Sequence, residues 1–339
     1  MGMIGTPRTI RAIRTCTTAL ALAAVAALAL PAVAAAEDWK PTRPVELVVA
    51  AGPGGSLDQV ARTLGGIMEK QGSVKSLVVS NRPSGAGRVA MSVLQQHEGD
   101  GHYLASWAAQ WLTNYIIGDW DIGPDQYTMP AILFNEYVAL AVRNESPIRD
   151  ARDLVERLRK DPASVSIGVA TALGNHIHIG AAKPLLAAGI DIARLTIVPY
   201  KSSAETLMSA MGGHLDVVAA TTPNLVAQMQ AGKIRVLAVS SPERLGGAFA
   251  DVPTWKEQGV DAEYASAQGI MGAKGMSHAQ LEFWSKALRS AVETPEWQAF
   301  VERNQWKPRF IEGEAARKYV EAELVDLRAV LQAMRMAKQ

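Results

Sequence analysis

The chain has 339 residues, 48% of them apolar and 20% charged, with 34 Lys and Arg against 33 Asp and Glu. A formal net charge of +1 excludes the concentrated basic face that nucleic acid requires, and the apolar fraction argues against a disordered or fibrous chain. The length supplies material for two cores rather than one.

Chain order begins with an export signature. Arg8, Arg11 and Arg14 form a basic flank, Ala19 to Leu30 is unbroken apolar sequence, and Pro31 leads to Ala34-Ala35-Ala36, a small-x-small cleavage pattern. The pattern predicts a signal segment over residues 1–36, cut near Ala36, and a periplasmic mature chain. Cys16 would leave with it, so neither a disulfide nor a thiol nucleophile is expected. Three arginines would leave too, giving 31 basic against 33 acidic residues. No later apolar run is long enough to span a bilayer.

Strand-like and helical runs then alternate, which predicts α/β layers with largely parallel sheets. Pro44 to Ala50 reads as a strand, and Leu57 to Lys70 as a helix with Leu57, Val60, Ala61, Leu64, Ile67 and Met68 on one face. Between them lies a glycine turn, the layout of an anion site. A dinucleotide fingerprint fails because position 57 is Leu and Asn81 stands where an acid is needed, and no Gly-Lys-Ser/Thr follows for a P-loop. What survives is generic: Gly54 and Gly55 allow close backbone approach, Ser56 caps the helix or donates, and Asp58 favours the helix dipole or accepts from a ligand.

Ser76 to Val79 is a second strand, and Ser84-Gly85-Ala86-Gly87 repeats the glycine turn before a helix ending near Gln96. Tyr103 to Trp107 is a third strand, and Ala131 to Arg143 the longest β-like run, followed by a break at Asn144 to Pro147 suited to a domain crossing. A second α/β series follows: helix Ala151 to Arg159, strand Val165 to Val169, helix Asn175 to Ala188, strand Leu195 to Val198, helix Ser203 to Met211, strand Val217 to Ala219, helix Leu225 to Ala231 and strand Val236 to Val239. A strand near Ala265 to Gly272, carrying Gln268, crosses back. The remainder reads as helical, with Ser277 as a cap, Pro295 in a first turn, and a long amphipathic helix from Ala316 to Met334.

Ligands in open α/β sheets bind at the carboxyl ends of strands. That places Thr171, Ala172, Gly174, Asn175 and His176 at one strand end of the second series, with Tyr200, Lys201, Ser202 and Thr221 at its neighbours. His176 and His178 point away from each other on a helix and lack an obvious third ligand, so no metal is expected. Gly-x-Ser-x-Gly and His-Glu-x-x-His are absent, so the enzymatic alternative rests on His176 with Asp216 or Glu205. A sensory binding protein is a third alternative.

The segments RPVELVVAAGPGGSLDQVAR, VSNRPSGAGRVAM, GDGHYLA, LTIVPYKSSAETLMSAMGGHLDVVAATTPNLVAQMQAGKIRVLAVSSPER and DVPTWKEQGV resemble, in order and spacing, the tripartite tricarboxylate transporter substrate-binding proteins, the Bug or TctC-like family. The resemblance implies a type II periplasmic binding protein, with two α/β lobes around a ligand cleft and two inter-lobe crossings. Lobe 1 is expected over 37–140 and 263–339, and lobe 2 over 141–262. It further implies a carboxylate ligand, small and large membrane subunits as partners, and neither cofactor nor catalysis; a monomer is expected. It assigns Gly54, Gly55, Ser56 and Asp58 to one ligand loop, Ser84, Gly85, Ala86 and Gly87 to a second, Thr171 to His176 to the opposite lobe, and Tyr200 to Ser203 and Asp216 to segments behind it. After HYLA, Ser106, Trp107, Gln110 and Trp111 replace the small and hydroxyl residues typical there, and rings at a cleft wall favour a flatter or aromatic acid.

Overall fold

The computed structural model describes residues 1–2, 39–83 and 87–338. The expected signal segment, Cys16 and the loop residues Ser84, Gly85 and Ala86 lie outside the described residues.

The first α/β series builds strands β1 (Val45–Val49), β2 (Leu77–Asn81) and β3 (Tyr103–Ala108), with helices α1 (Ser56–Lys70) and α2 (Arg88–Gln96) between them. A short helix α3 (Gln110–Ile117) follows, then β4 (Tyr127–Glu136). The second series contains β5 (Val138–Arg143), α4 (Ala151–Lys160), β6 (Ser166–Ala170), α5 (His176–Ala187), β7 (Thr196–Tyr200), α6 (Ser203–Met211), β8 (Val217–Thr221), α7 (Thr222–Gln230) and β9 (Ile234–Val239). The chain returns through β10 (Ser266–Ala273), α8 (His278–Val292), α9 (Pro295–Arg303), β11 (Lys307–Glu312) and α10 (Gly313–Ala333).

Two sheets result, ordered β11-β4-β10-β3-β1-β2 and β7-β6-β8-β5-β9. Both are mixed rather than largely parallel. Strands β1, β2 and β3 pair in parallel, as do β6, β7 and β8, but β10 runs antiparallel to β3 and β4, and β5 antiparallel to β8 and β9. The antiparallel members are largely the strands that carry the chain between sheets, which a repeating βα pattern does not announce.

The first crossing falls within the long β-like run. Tyr137 alone separates β4 in one sheet from β5 in the other, so Asn144 to Pro147, expected as the crossing, is a turn after β5. No glycine or proline marks Tyr137 because its backbone is satisfied on the spot: its carbonyl accepts from Thr222 N–H at 3.1 Å, and the next amide, Val138, donates to Ser240 Oγ at 3.1 Å. Ser240 Oγ donates in turn to the Tyr264 carbonyl at 2.6 Å. One buried serine thereby ties both crossings together.

Expected caps hold the returning helices. Ser277 and Gln280 form a capping box on α8, and Thr294 accepts from Trp297 N–H at the start of α9, where Pro295 fills the first turn. The C-terminal part is not all helix, however. Lys307–Glu312 forms edge strand β11 against β4, and its Lys, Pro and Arg suit an exposed edge. One core lies between the first sheet and α1, α8 and α9 and includes Leu64, Leu104, Phe134, Ile270, Trp284, Trp297 and Trp306. A second is continuous across both lobes, joining Met91, Trp107 and Trp111 to Leu140, Ile167 and Ile177 through α10 residues Val320, Leu327 and Leu331. An ion pair from Lys183 on α5 to Asp326 on α10, at 2.6 Å, reinforces that bridge. No helix among the described residues is long and apolar enough to cross a membrane.

Candidate functional site

The registers fix which ends of the sheets face each other. Strand β4 runs parallel to β1 and β3, since all are set against β10 or one another, so Glu136 ends it on their carboxyl side. Val138 at the start of β5 pairs with Thr221 at the carboxyl end of β8, beside β6. The carboxyl ends of both parallel sets therefore meet across Tyr137, where open α/β sheets bind ligands.

In the first lobe, β1 leads through Ala50–Gly55 into α1. Gly54 has φ +79°, left-handed backbone that glycine adopts without strain. Its N–H donates to Asp58 Oδ2 at 2.9 Å; Arg62 Nε donates to the same oxygen at 2.9 Å, and Asn81 Nδ2 to Oδ1 at 2.9 Å. Asn81 also reaches the Ala51 carbonyl at 3.0 Å. Asp58 is 2% exposed. Its oxygens are committed to the protein, so in place of the expected ligand acceptor it is the clasp that shapes the loop. Hydrogen bonding from Arg62, then from Gly54 and Asn81, outweighs burial and holds its carboxyl down to about 2. Asp58→Ala is expected to destabilise the protein by about 1–3 kcal/mol, the cost of orphaning buried donors, and to loosen the loop. Chemical denaturation checks the first effect. The stability from this carboxylate is present above its unfolded value of 3.8 and is lost as pH falls toward about 2, so the variant should also show a flatter acid limb.

With Asp58 turned inward, Gly55 caps α1 without a side-chain bond, and Ser56 stands exposed as the first helical residue. The first-turn N–H groups of such a helix end present partial positive charge to an incoming anion. In the neighbouring loop Gly87, φ +99°, caps α2 beneath Trp111 and Trp120, whose rings stack at 4.8 Å. An added Cβ at Gly87 would sit 3.3 Å from Trp111 Cη2. Gln110 opens α3 and is half-buried.

In the second lobe, the loop after β6 is held in a costly shape. Thr171 has φ 67°, rare for a β-branched residue and typical of functional loops. Its N–H donates to the Tyr200 carbonyl at 2.7 Å and its hydroxyl accepts from Asn175 Nδ2 at 2.9 Å. Asn175 caps α5 by accepting from Ile177 and His178 N–H, both at 3.0 Å. His178 Nδ1 accepts from Gly174 N–H at 3.0 Å, and burial lowers its pKa to about 4, so it serves the loop as a neutral acceptor. Thr171 and Ala172 are exposed beside this clamp.

Other sequence candidates are engaged elsewhere. Trp107 is fully buried, its indole donating to Tyr127 Oη at 3.1 Å; strand alternation points it into the core rather than to a cleft wall. Asp216 precedes β8 at the end opposite Thr221 and accepts from Ser166 N–H and Oγ at 2.9 and 2.7 Å, which removes it from the ligand loops and from any pairing with His176. Glu205 accepts from Lys201 N–H at 3.0 Å. Tyr200 Oη pairs with Ser209 Oγ at 2.6 Å and Ser202 caps α6, while Lys201 is exposed. Thr221 Oγ1 accepts from Asn224 Nδ2 at 2.8 Å, but its hydroxyl also donates to the Glu136 carboxyl, which keeps it at the strand ends.

Sequence reading missed Glu136. Its Oε2 lies 3.9 Å from His176 Nε2 of the other lobe, and its Oε1 accepts from Trp306 Nε1 at 3.3 Å. Burial pushes the Glu136 carboxyl up to about 7 and the His176 imidazole down to about 4, so burial disfavours charge on either partner. The available signal was the polar pair Asn135-Glu136 interrupting the apolar run Ala131 to Arg143. Ser106 and Gln268, both predicted, are buried nearby on the same sheet, and Ser106 Oγ and Gln268 Oε1 have no partner. Among the described residues no group of three or more His, Cys, Asp or Glu is arranged to hold a metal ion.

Comparison with known proteins agrees with the two-lobed fold. The solved structure of R. palustris Rpa4515 with adipate is 25% identical and matches with a TM-score of 0.73, over 88% of this chain and 99% of its own. The periplasmic binding protein BugD matches at 0.72 with 22% identity, over 88% and 100%. A Cupriavidus necator relative, the UPF0065 protein in gbd 5'region, is 24% identical over 306 residues, 90% of this chain and 91% of its own. The model of the tripartite tricarboxylate transporter family receptor, TctC, matches residues 60–336. Two mixed α/β lobes meeting at their strand ends are thus those of a solute-binding protein, and the chain belongs to the TctC receptor family.

Proposed function

We propose that this protein captures a small organic carboxylate between its lobes and delivers it, unchanged, to the small and large membrane subunits of a tripartite transporter. The observation that carries the reading is a pair of loops, each at the carboxyl end of its own parallel strand set: the uncapped N-terminus of α1 behind Gly54, Gly55 and Ser56, and the strained Thr171–Asn175 loop at the start of α5. Backbone N–H groups and hydroxyls at helix starts bind a carboxylate without a buried arginine. The 25% identical Rpa4515 with adipate supports the ligand class.

The mechanism follows from the two sets of donors. One end of the acid engages the first-lobe loops, the other the second-lobe loop, and the closed form is stabilised because it alone makes both contacts. The protein works as an exported monomer in the periplasm after loss of residues 1–36. No bond of the acid is made or broken. Native mass spectrometry of protein purified without refolding is expected to show a retained acid. Titration calorimetry with aliphatic and aromatic mono-, di- and tricarboxylates should give binding accompanied by compaction in small-angle scattering. Absence of binding across the whole panel would refute the assignment.

A further inference from the structure

Two unpartnered buried polar atoms, Ser106 Oγ and Gln268 Oε1, lie in one row of polar residues. On the β3 and β10 pair, Ser106 faces Ile270 and Ala108 faces Gln268; on the β10 and β4 pair, Gln268 faces Phe134 and Ser266 faces Glu136. Paired and alternate residues share a sheet face, so Ser106, Gln268, Ser266 and Glu136 line up on the face covered by α1, whose Leu64 packs in one core with Leu104, Phe134 and Ile270. The row leads from beneath the first ligand loop to the inter-lobe contact of Glu136 with His176.

Buried polar atoms are almost always hydrogen-bonded, and exceptions call for a cause. Ser106 is 1% exposed and Gln268 6%, yet Ser106 Oγ and Gln268 Oε1 bond to nothing, and the Gln268 amide reaches Ser266 Oγ only at 3.5 Å. Glu136 has an indole N–H, the Thr221 hydroxyl and a histidine beside it; among the described residues no lysine or arginine pairs with it.

We propose, building on the carboxylate reading above, that this row receives the far end of the bound acid and selects ligands whose far end is a hydrogen-bond donor, a hydroxyl, amide or ammonium, over those with a second carboxylate. A hydroxyl satisfies Gln268 Oε1 or Glu136, and an ammonium or primary amide has N–H groups enough for both. Above about pH 7, where Glu136 gives up its proton, a carboxylate there would face its charge with no cation to offset it, and like charges set together in an interface cost several kcal/mol. Burial opposes a proton on His176, so it does not supply the missing charge.

The test is calorimetry at about pH 8.5, above the Glu136 value of about 7, on ligands matched in length: succinate against γ-hydroxybutyrate and γ-aminobutyrate, and adipate against ε-hydroxycaproate and ε-aminocaproate. The donor-ended acid is expected to bind at least about tenfold more tightly than its diacid, a modest reading of a like-charge contact, and Glu136→Gln is expected to bring the ratio toward one. A diacid that binds as tightly as its analogues, or a preference unchanged by Glu136→Gln, would overturn the proposal. If no ligand binds at all, the carboxylate reading itself fails instead. Should Glu136→Gln not fold, Gln268→Met, which removes the acceptor and keeps the volume, is expected to weaken the donor-ended ligand selectively; equal losses for both ends would count against the row.

Discussion

Replacing Gly180 by alanine is expected to destabilise the protein by about 1–2 kcal/mol net, overpacking at contacts this short costing about 2–3 kcal/mol against a gain of about 1 kcal/mol in helix propensity. An ideal Cβ at this position on α5 would stand 2.5 Å from Val138 Cγ2, 2.6 Å from Val138 Cβ and 2.9 Å from Tyr264 Cδ1. Rotating the valine does not relieve the second contact, because Cβ is fixed to the backbone. Val138 and Tyr264 belong to the two crossings that Ser240 ties together, so α5 must lift away from the hinge as a body. Its N-terminus carries the Thr171–His176 loop, and ligand affinity should fall with stability. Adding Val138→Gly removes both Val138 contacts. The double variant is expected to be more stable than the sum of the two single losses by about 1 kcal/mol or more, the size of coupling seen between residues in contact. Denaturant unfolding of the four proteins measures it, and strict additivity would show that the helix and hinge strand do not meet in this way.

The hinge was the part of the fold least visible in the sequence. The alternation of strand and helix, the glycine turns at Gly54 and Gly174, and the caps at Asn175, Ser277 and Thr294 were legible because each obeys local rules of backbone and period. Tyr137 was not, since a crossing satisfied by Thr222 and Ser240 needs no turn residue and leaves the β-like run unbroken. The same limit applies to the site. A first-turn acid such as Asp58 has one sequence signature whether it faces a ligand or its own loop, and only the three bonds from Gly54, Arg62 and Asn81 separate the cases. Asp216 sits beside a strand in sequence, but which end of the sheet it occupies depends on strand direction. Glu136 announced itself as a charge in apolar sequence, and its meaning emerged when the fold brought His176 to it from another lobe.

That buried carboxyl gives the other large expected effect. Glu136→Gln should raise stability at pH 8 by about 2–3 kcal/mol more than at pH 5, from a shift of this size at 1.36 kcal/mol per pKa unit. The sign follows from proton binding. Burial raises the folded-state value to about 7 from an ordinary 4.5, so between those values the folded protein holds a proton that the unfolded chain has released, and stability falls as pH rises. His176 works in the opposite sense: its value is lowered to about 4 from 6.5, so its contribution is lost as pH falls through that window. In the parent the two slopes largely cancel below pH 6.5, and the fall then continues alone through about pH 7 before levelling off. The glutamine keeps the acceptor for Trp306 Nε1, removes the charge, and leaves the His176 slope exposed. Thermal unfolding of parent and variant across pH 4 to 8 is expected to give curves that diverge with rising pH, the variant melting several degrees higher at the alkaline end. Parallel curves would mean that Glu136 ionises without cost and that the inter-lobe contact is open to water.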